Sequence, residues 1–273
     1  MNIKIIFLLF IAMFSVSTSP IIARYLEDIP ALAISFWRMA FGTLILWIIS
    51  FTKKQKPLQF ESLKSTIFAG ILLGIHFALF FSAIKLTTIA NATFLGTLAP
   101  VVTFIIEKYF LKRIYKTSLI FGLCLAMVGA IIIIGNKFDF SSNYTIGNLF
   151  AVACSICLGF AFIISEKIRK SISTISYSRT LFFSSALTLF ILSKIMNTNL
   201  LGFSNWEYIG LLALGIIPTI LGHGFMNYAI KYISPTIVAS TPLGEPIIAS
   251  IFAWFLFQES IGYSTLIGGT ISL

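Results

Sequence analysis

In a chain of 273 residues, 58% are hydrophobic and only 10% are charged, and the mean hydropathy is +0.99. That leaves too few polar side chains to cover a water-soluble globule. Nineteen Lys and Arg against nine Asp and Glu give a net charge of +10, but the cations sit in short clusters between apolar runs, which argues against a nucleic-acid-binding face.

The composition is that of an all-α integral membrane protein. The first apolar run, residues 3–23, is longer than the core of a secretory signal and is read as a membrane span. Eight more follow at 31–51, 65–86, 88–107, 115–135, 147–165, 175–196, 207–230 and 234–257, and a tenth begins near 261. Each of the nine is close to the ~20 residues that cross a ~30 Å hydrocarbon core. They are apolar all round, whereas barrel strands alternate, so helices are expected. The tenth run stops at Leu273 without a basic flank, and it reads as a cut-short helix.

With a cytoplasmic N-terminus, thirteen Lys and Arg fall in inner loops and four, Arg24, Lys85, Lys137 and Lys194, in outer ones. The bias places the N-terminus inside and the chain in the plasma membrane, the inner membrane of a bacterium. Arg38 and Arg179 remain, within the second and seventh runs.

Sliding the chain by 146 residues lays 82–113 on 228–259 without a gap, matching Ala83, Ile84 and Lys85 to Ala229, Ile230 and Lys231, and Pro100 to Pro246. A shift of 141 lays Arg38 on Arg179. The expected organisation is two five-helix halves, 1–140 and 141–273. An odd number of spans per half turns the second upside down. Inverted repeats of this kind hold a substrate near the bilayer midplane, between halves that rock to expose it to either side. A secondary transporter is expected, not an enzyme, with a small molecule and the lipid bilayer as partners and no cofactor.

Several stretches together, "SFWRMAFGTLIL" in the second run, "LAPVVTFIIEKYFLKR" in the fourth and "LGEPIIASIFAWFLFQE" in the ninth, resemble the EamA-type branch of the drug/metabolite transporter superfamily. The resemblance covers essentially the whole chain. It implies ten helices in two inverted halves and a role in export. One departure is Arg113, which stands where the repeat and the family pattern would put the helix-end acid matched by Glu259.

Of the nine acids only Glu245 falls at the centre of a run, where a charge costs roughly 2.5–3.5 kcal/mol on insertion scales. It is a candidate for substrate binding and proton coupling. The competing reading is a structural bond to backbone that Pro246 frees. The two histidines, His76 and His223, stand at nearly repeat-related places, and Asn227 lies one turn past His223. Asn91, Phe94 and Phe80 complete the candidate substrate-binding set. Arg38 either clamps a substrate carboxylate or is structural, snorkelling or tying neighbouring carbonyls. Gly215, Pro218 and Gly222 interrupt the eighth run as a candidate hinge, or else allow close helix packing.

Cys154 and Cys157 form a C-x-x-C read as small apolar packing rather than redox or zinc chemistry, and no metal site is expected. A cavity with many aromatics and few charges suits an amino acid or similar amphipathic metabolite better than a polyanion. Because two His and one Glu are also zinc-type ligands, the alternative expectation is a membrane-embedded metal-dependent enzyme or assembly factor.

Overall fold

The computed structural model describes residues 2–87, 89–134, 144–257 and 263–272. The boundary expected near residue 140, together with Lys137, Glu259 and Leu273, lies outside them. All regular structure among the described residues is helical. Seven helical runs are long and apolar enough to cross a bilayer: Ile3–Tyr25, Ala31–Thr52, Phe60–Leu86, Asn91–Phe110, Thr145–Arg169, Thr174–Ile195 and Asn205–Ala229. Shorter apolar helices fill the remaining predicted runs. In chain order the helices are α1 (Ile3–Tyr25), α2 (Ala31–Thr52), α3 (Phe60–Leu86), α4 (Ile89–Gly96), α5 (Ala99–Ile105), α6 (Thr117–Ile134) and α7 (Thr145–Arg169). They continue as α8 (Thr174–Ile195), α9 (Asn205–Leu214), α10 (Gly224–Ala229), α11 (Pro235–Ala239), α12 (Glu245–Phe257) and α13 (Tyr263–Ser272).

Local chemistry fixes the starts. The Asn2 side chain accepts from the Lys4 amide at 3.0 Å at the head of α1, and Ser173 caps α8. Ser204 and Glu207 form a capping box on α9, and Ser234 followed by Pro235 opens α11.

Three of the apolar runs are not continuous α-helices. The fourth breaks between Gly96 and Ala99, just ahead of Pro100, and its far end, Ile106–Phe110, is π-helical. The ninth passes from α11 through a 3₁₀ turn at Thr241–Gly244 into α12, just ahead of Pro246. In the eighth, Pro218 has no N–H to give, and Gly215–His223 winds as a π-helix between α9 and α10.

The core sits among α1, α2, α3, α7, α8 and the Gly215–Ala229 stretch. Large apolar side chains such as Phe7, Leu44, Ile48 and Phe183 point outward, while Ser17, Ser35, Thr66, Ser155 and Ser185 are buried inside. In lipid there is no hydrophobic drive between helices, so interfaces rely on small residues and hydrogen bonds. The contact of α3 with α8 follows this rule: a Cβ on Gly70 would lie 2.6 Å from the Leu181 carbonyl, and one on Gly74 2.9 Å from that of Ser185. The Ser184 hydroxyl donates to the Ile67 carbonyl across the same contact at 2.9 Å.

Candidate transport site

The breaks in the fourth and ninth runs meet at one place. Gly96, Thr97 and Ala99 from the first break, and Pro242 and Glu245 from the second, line a cavity of about 40 Å³. That is room for roughly three water molecules. Ser19 of α1, Arg38 of α2, His76, Phe77 and Phe80 of α3, and His223 complete most of its wall.

Arg38 is 1% exposed and is held on three sides. Its Nε donates to the Thr219 hydroxyl at 2.9 Å and its Nη1 to the Ser19 hydroxyl at 2.8 Å. The guanidinium lies over the Phe77 ring, 4.1 Å from its centroid. A guanidinium carries five N–H donors, so three remain beyond these two bonds. Arg38 is thus bonded inside the protein and does not snorkel to the membrane surface.

Glu245 is the first residue of α12, beside a helix end that favours negative charge. Its Oε1 is buried and has no hydrogen-bond partner among the described residues. Among the described residues no ion pair joins it to Arg38. An acid and a base therefore line the same void without touching.

The His76 Nδ1 lies 2.9 Å from the Cys154 carbonyl, which can only accept, so Nδ1 carries the hydrogen and Nε2 is left for other partners. The His76 and His223 rings are 6.5 Å apart edge to face, and His76 stacks on Phe80 at 6.1 Å.

Five of the residues expected from sequence thus come together: Arg38, His76, Phe80, His223 and Glu245. Three stand elsewhere. Asn91 donates to the Thr87 hydroxyl at 3.2 Å and to Asn148 Oδ1 at 2.8 Å, tying α4 to α7. Asn227 donates to the Ser178 hydroxyl at 3.1 Å, and its carbonyl accepts from Arg169 Nε at 2.8 Å. Phe94 does not line the cavity. Gly215 sits against Phe41 and the Arg38 carbonyl, Gly222 against Val16, and Pro218 is buried within the π-helix. Among the described residues no three His, Cys, Asp or Glu gather as a metal-binding group.

Sequence reasoning did not single out Ser19, Phe77, Thr97 or Thr219, which are ordinary residue types in apolar runs. It also counted Glu107 merely as a span-end acid. Glu107 is 0% exposed. It accepts from the Thr236 amide at 2.9 Å and from the Thr236 hydroxyl, and it pairs with Arg113, which also reaches Glu166 of α7 at 2.6 Å. Arg113, out of pattern by the repeat, thus joins two acids.

The sequence signature of the EamA-like transporter family matches the chain twice, at residues 3–135 and 145–273. The chain belongs to the EamA-like transporter family. It is accordingly a multi-pass membrane transporter, with a small molecule to carry and the bilayer as its surroundings. Among curated EamA relatives, the pseudopaline exporter CntI of Pseudomonas aeruginosa is 25% identical over 89% of this chain and 84% of its own length. The uncharacterized transporter YoaV of Bacillus subtilis is 22% identical over 90% of this chain and 86% of its own. A solved crystal structure superposes with a TM-score of 0.84 over 98% of this chain and 95% of that one. At 17% identity that likeness shows the fold alone.

Proposed function

We propose that this EamA-family transporter is a ten-span secondary carrier of two inverted five-helix halves, 1–140 and 141–273. It exports a small zwitterionic metabolite, an amino acid or a related amphipathic compound, by alternating access. The observation that carries this reading is the unpaired arrangement of Arg38 and Glu245 around one small cavity. A guanidinium with spare N–H donors suits a carboxylate, and an acid oxygen without a partner suits an ammonium group. Phe77 and Phe80 between them offer an apolar wall for the rest of such a molecule.

The void is too small for a metabolite, so binding requires the halves to part. Two pairs of lining positions, Gly96 with Pro242 and Ala99 with Glu245, are related by the same 146-residue shift, which supports two halves meeting at the site. The two separate family matches support the same division. The Pseudomonas relative, an exporter by name, favours export, and the bias of Lys and Arg favours a cytoplasmic N-terminus in the plasma membrane. Glu245, present in one half only, would carry the coupling proton, bound on one side of the cycle and released on the other.

The test begins with a thermal-shift screen of the purified protein against amino acids and related metabolites. Counterflow of the best ligand is then measured in proteoliposomes with Glu245→Gln. The variant keeps the volume and removes the charge. It should lose about tenfold or more of transport, since hydrogen bonds to charged groups are worth ≈ 1.5–3 kcal/mol, and what remains should no longer depend on pH. Transport as fast and as pH-dependent as before would remove Glu245 from both roles.

A further inference from the structure

One face of α1 lines three cavities in series. Ile6, Leu9 and Met13 face a cleft of about 820 Å³ between α1, α6 and the α11–α12 turn. Val16 and Ser19 face the central cavity. Pro20 and Ala23 face a third cleft, of about 710 Å³, that α1 shares with α2, α3 and Glu27 of the turn that follows α1. The spacing of three and four residues keeps all of these α1 residues on one side of a single helix. The first cleft also carries Lys116, and the third carries Arg24 and Lys85, so the two lie toward opposite ends of the bundle.

Each partition between neighbouring cavities is one layer thick. On the Lys116 side, Met13 closes over Gly244: a Cβ built on Gly244 would fall on the Met13 sulfur and lie 3.2 Å from its Cγ. In the turn behind, Leu243 and Gly244 face the cleft while Pro242 and Glu245 face the cavity. On the Lys85 side, Phe77 lines the cavity and Phe81, one turn on, lines the cleft. Arg38 and Ile34 are divided in the same way.

We infer that the substrate path of this transporter runs along this face of α1, with Met13 against Gly244 as the gate on the Lys116 side and Phe81 as the gate on the Lys85 side. This rests on the reading of the central cavity as the substrate site. The occupant of both clefts is the carried metabolite itself. Both are large enough for a small amphipathic molecule, and both present charged or hydroxyl groups beside apolar walls: Lys116, Ser240 and Thr241 in one, Arg24, Glu27 and Lys85 in the other. Met13 is unbranched and flexible, and Gly244 offers no side chain to hold it, so a change of rotamer opens a channel where a β-branched residue would block it.

The experiment reads access and not transport, so it can fail without the zwitterion reading failing, and the reverse. In a chain with Cys124, Cys154 and Cys157 replaced, Thr97→Cys places one thiol in the central cavity, and a membrane-impermeant cationic methanethiosulfonate is added to one face of sealed vesicles at a time. Met13→Ala should speed modification from the Lys116 face only, and Phe81→Ala from the Lys85 face only. Each change should be about tenfold, as expected when a minor open state rises from about 1% to about 10%. Rates left unchanged by both variants, or raised equally from both faces, would overturn the path. Should Met13→Ala fail to reach the membrane, Leu119→Trp, at the wall of the larger cleft, takes its place. It should slow modification from the Lys116 face, and an unchanged rate would overturn the path equally.

Discussion

Arg38 and Glu245, more than two hundred residues apart in the chain, line the same small cavity and form no ion pair with each other among the described residues. Two unlike charges left apart inside a membrane protein are costly unless something else meets them. Ser19, Thr219 and the Phe77 ring meet Arg38 in part, and no hydrogen-bond donor among the described residues meets Oε1 of Glu245.

Arg38→Lys keeps the charge and loses the fork that reaches Ser19 and Thr219 together. Counterflow should fall roughly ten- to hundredfold, in line with ≈ 1.5–3 kcal/mol for charge-assisted bonds. Unimpaired counterflow by the lysine variant would show that the guanidinium geometry plays no part.

Glu107 is wholly buried while Arg113 is 30% exposed, so the pair is worth less than a fully buried one. Glu107→Gln should destabilise the protein by about 1–3 kcal/mol, below the 3–5 kcal/mol of breaking a deeply buried pair. Adding Arg113→Gln should cost less than the sum of the two single changes, because they remove one shared interaction. Unfolding in detergent measures both, and strict additivity would mean that the two side chains do not interact.

Gly70 and Gly122 should respond with opposite signs. Alanine at Gly70 drives a Cβ into backbone of α8, at a cost of about 1–3 kcal/mol. Alanine at Gly122, where nothing among the described residues lies within 4 Å of an added Cβ, should be neutral or stabilise by about 0.5–1 kcal/mol through helix propensity alone. Equal shifts in unfolding temperature would mean that the contact of α3 with α8 is not as close as described.

Pro218→Ala restores an N–H in the middle of the Gly215–His223 π-helix and lets it rewind toward α. If this stretch moves during the cycle, turnover should drop several-fold while the apparent KM changes little, the pattern of a slowed conformational step. A rise in KM at constant turnover would instead assign Pro218 to binding.

Much of the architecture was legible from apolar run lengths, since α2 begins and ends within a residue of the predicted run and α8 does the same. Glu245 stood out because one acid in an apolar centre has few places to go. The breaks at Gly96–Ala99 and Thr241–Gly244 were not foreseen, although Pro100 and Pro246 mark them, because hydropathy does not register a change of winding. Asn91 and Asn227 have the hydrogen-bonding capacity that a site needs, yet Asn148 and Ser178 satisfy it, and sequence spacing cannot show which partner arrives from another helix. Glu107 was passed over for the same reason: the residue that buries it, Thr236, is 129 positions away.

Thr219 has one hydroxyl and two obligations. It donates to the Leu214 carbonyl five residues back, a bond in step with the π winding, and it accepts from Arg38. Anything that draws the guanidinium toward the void pulls on the same oxygen that braces the coil. Thr219 therefore works as a transmission linkage, through which electrostatic events at the centre reach the pitch of a neighbouring helix without any other part intervening.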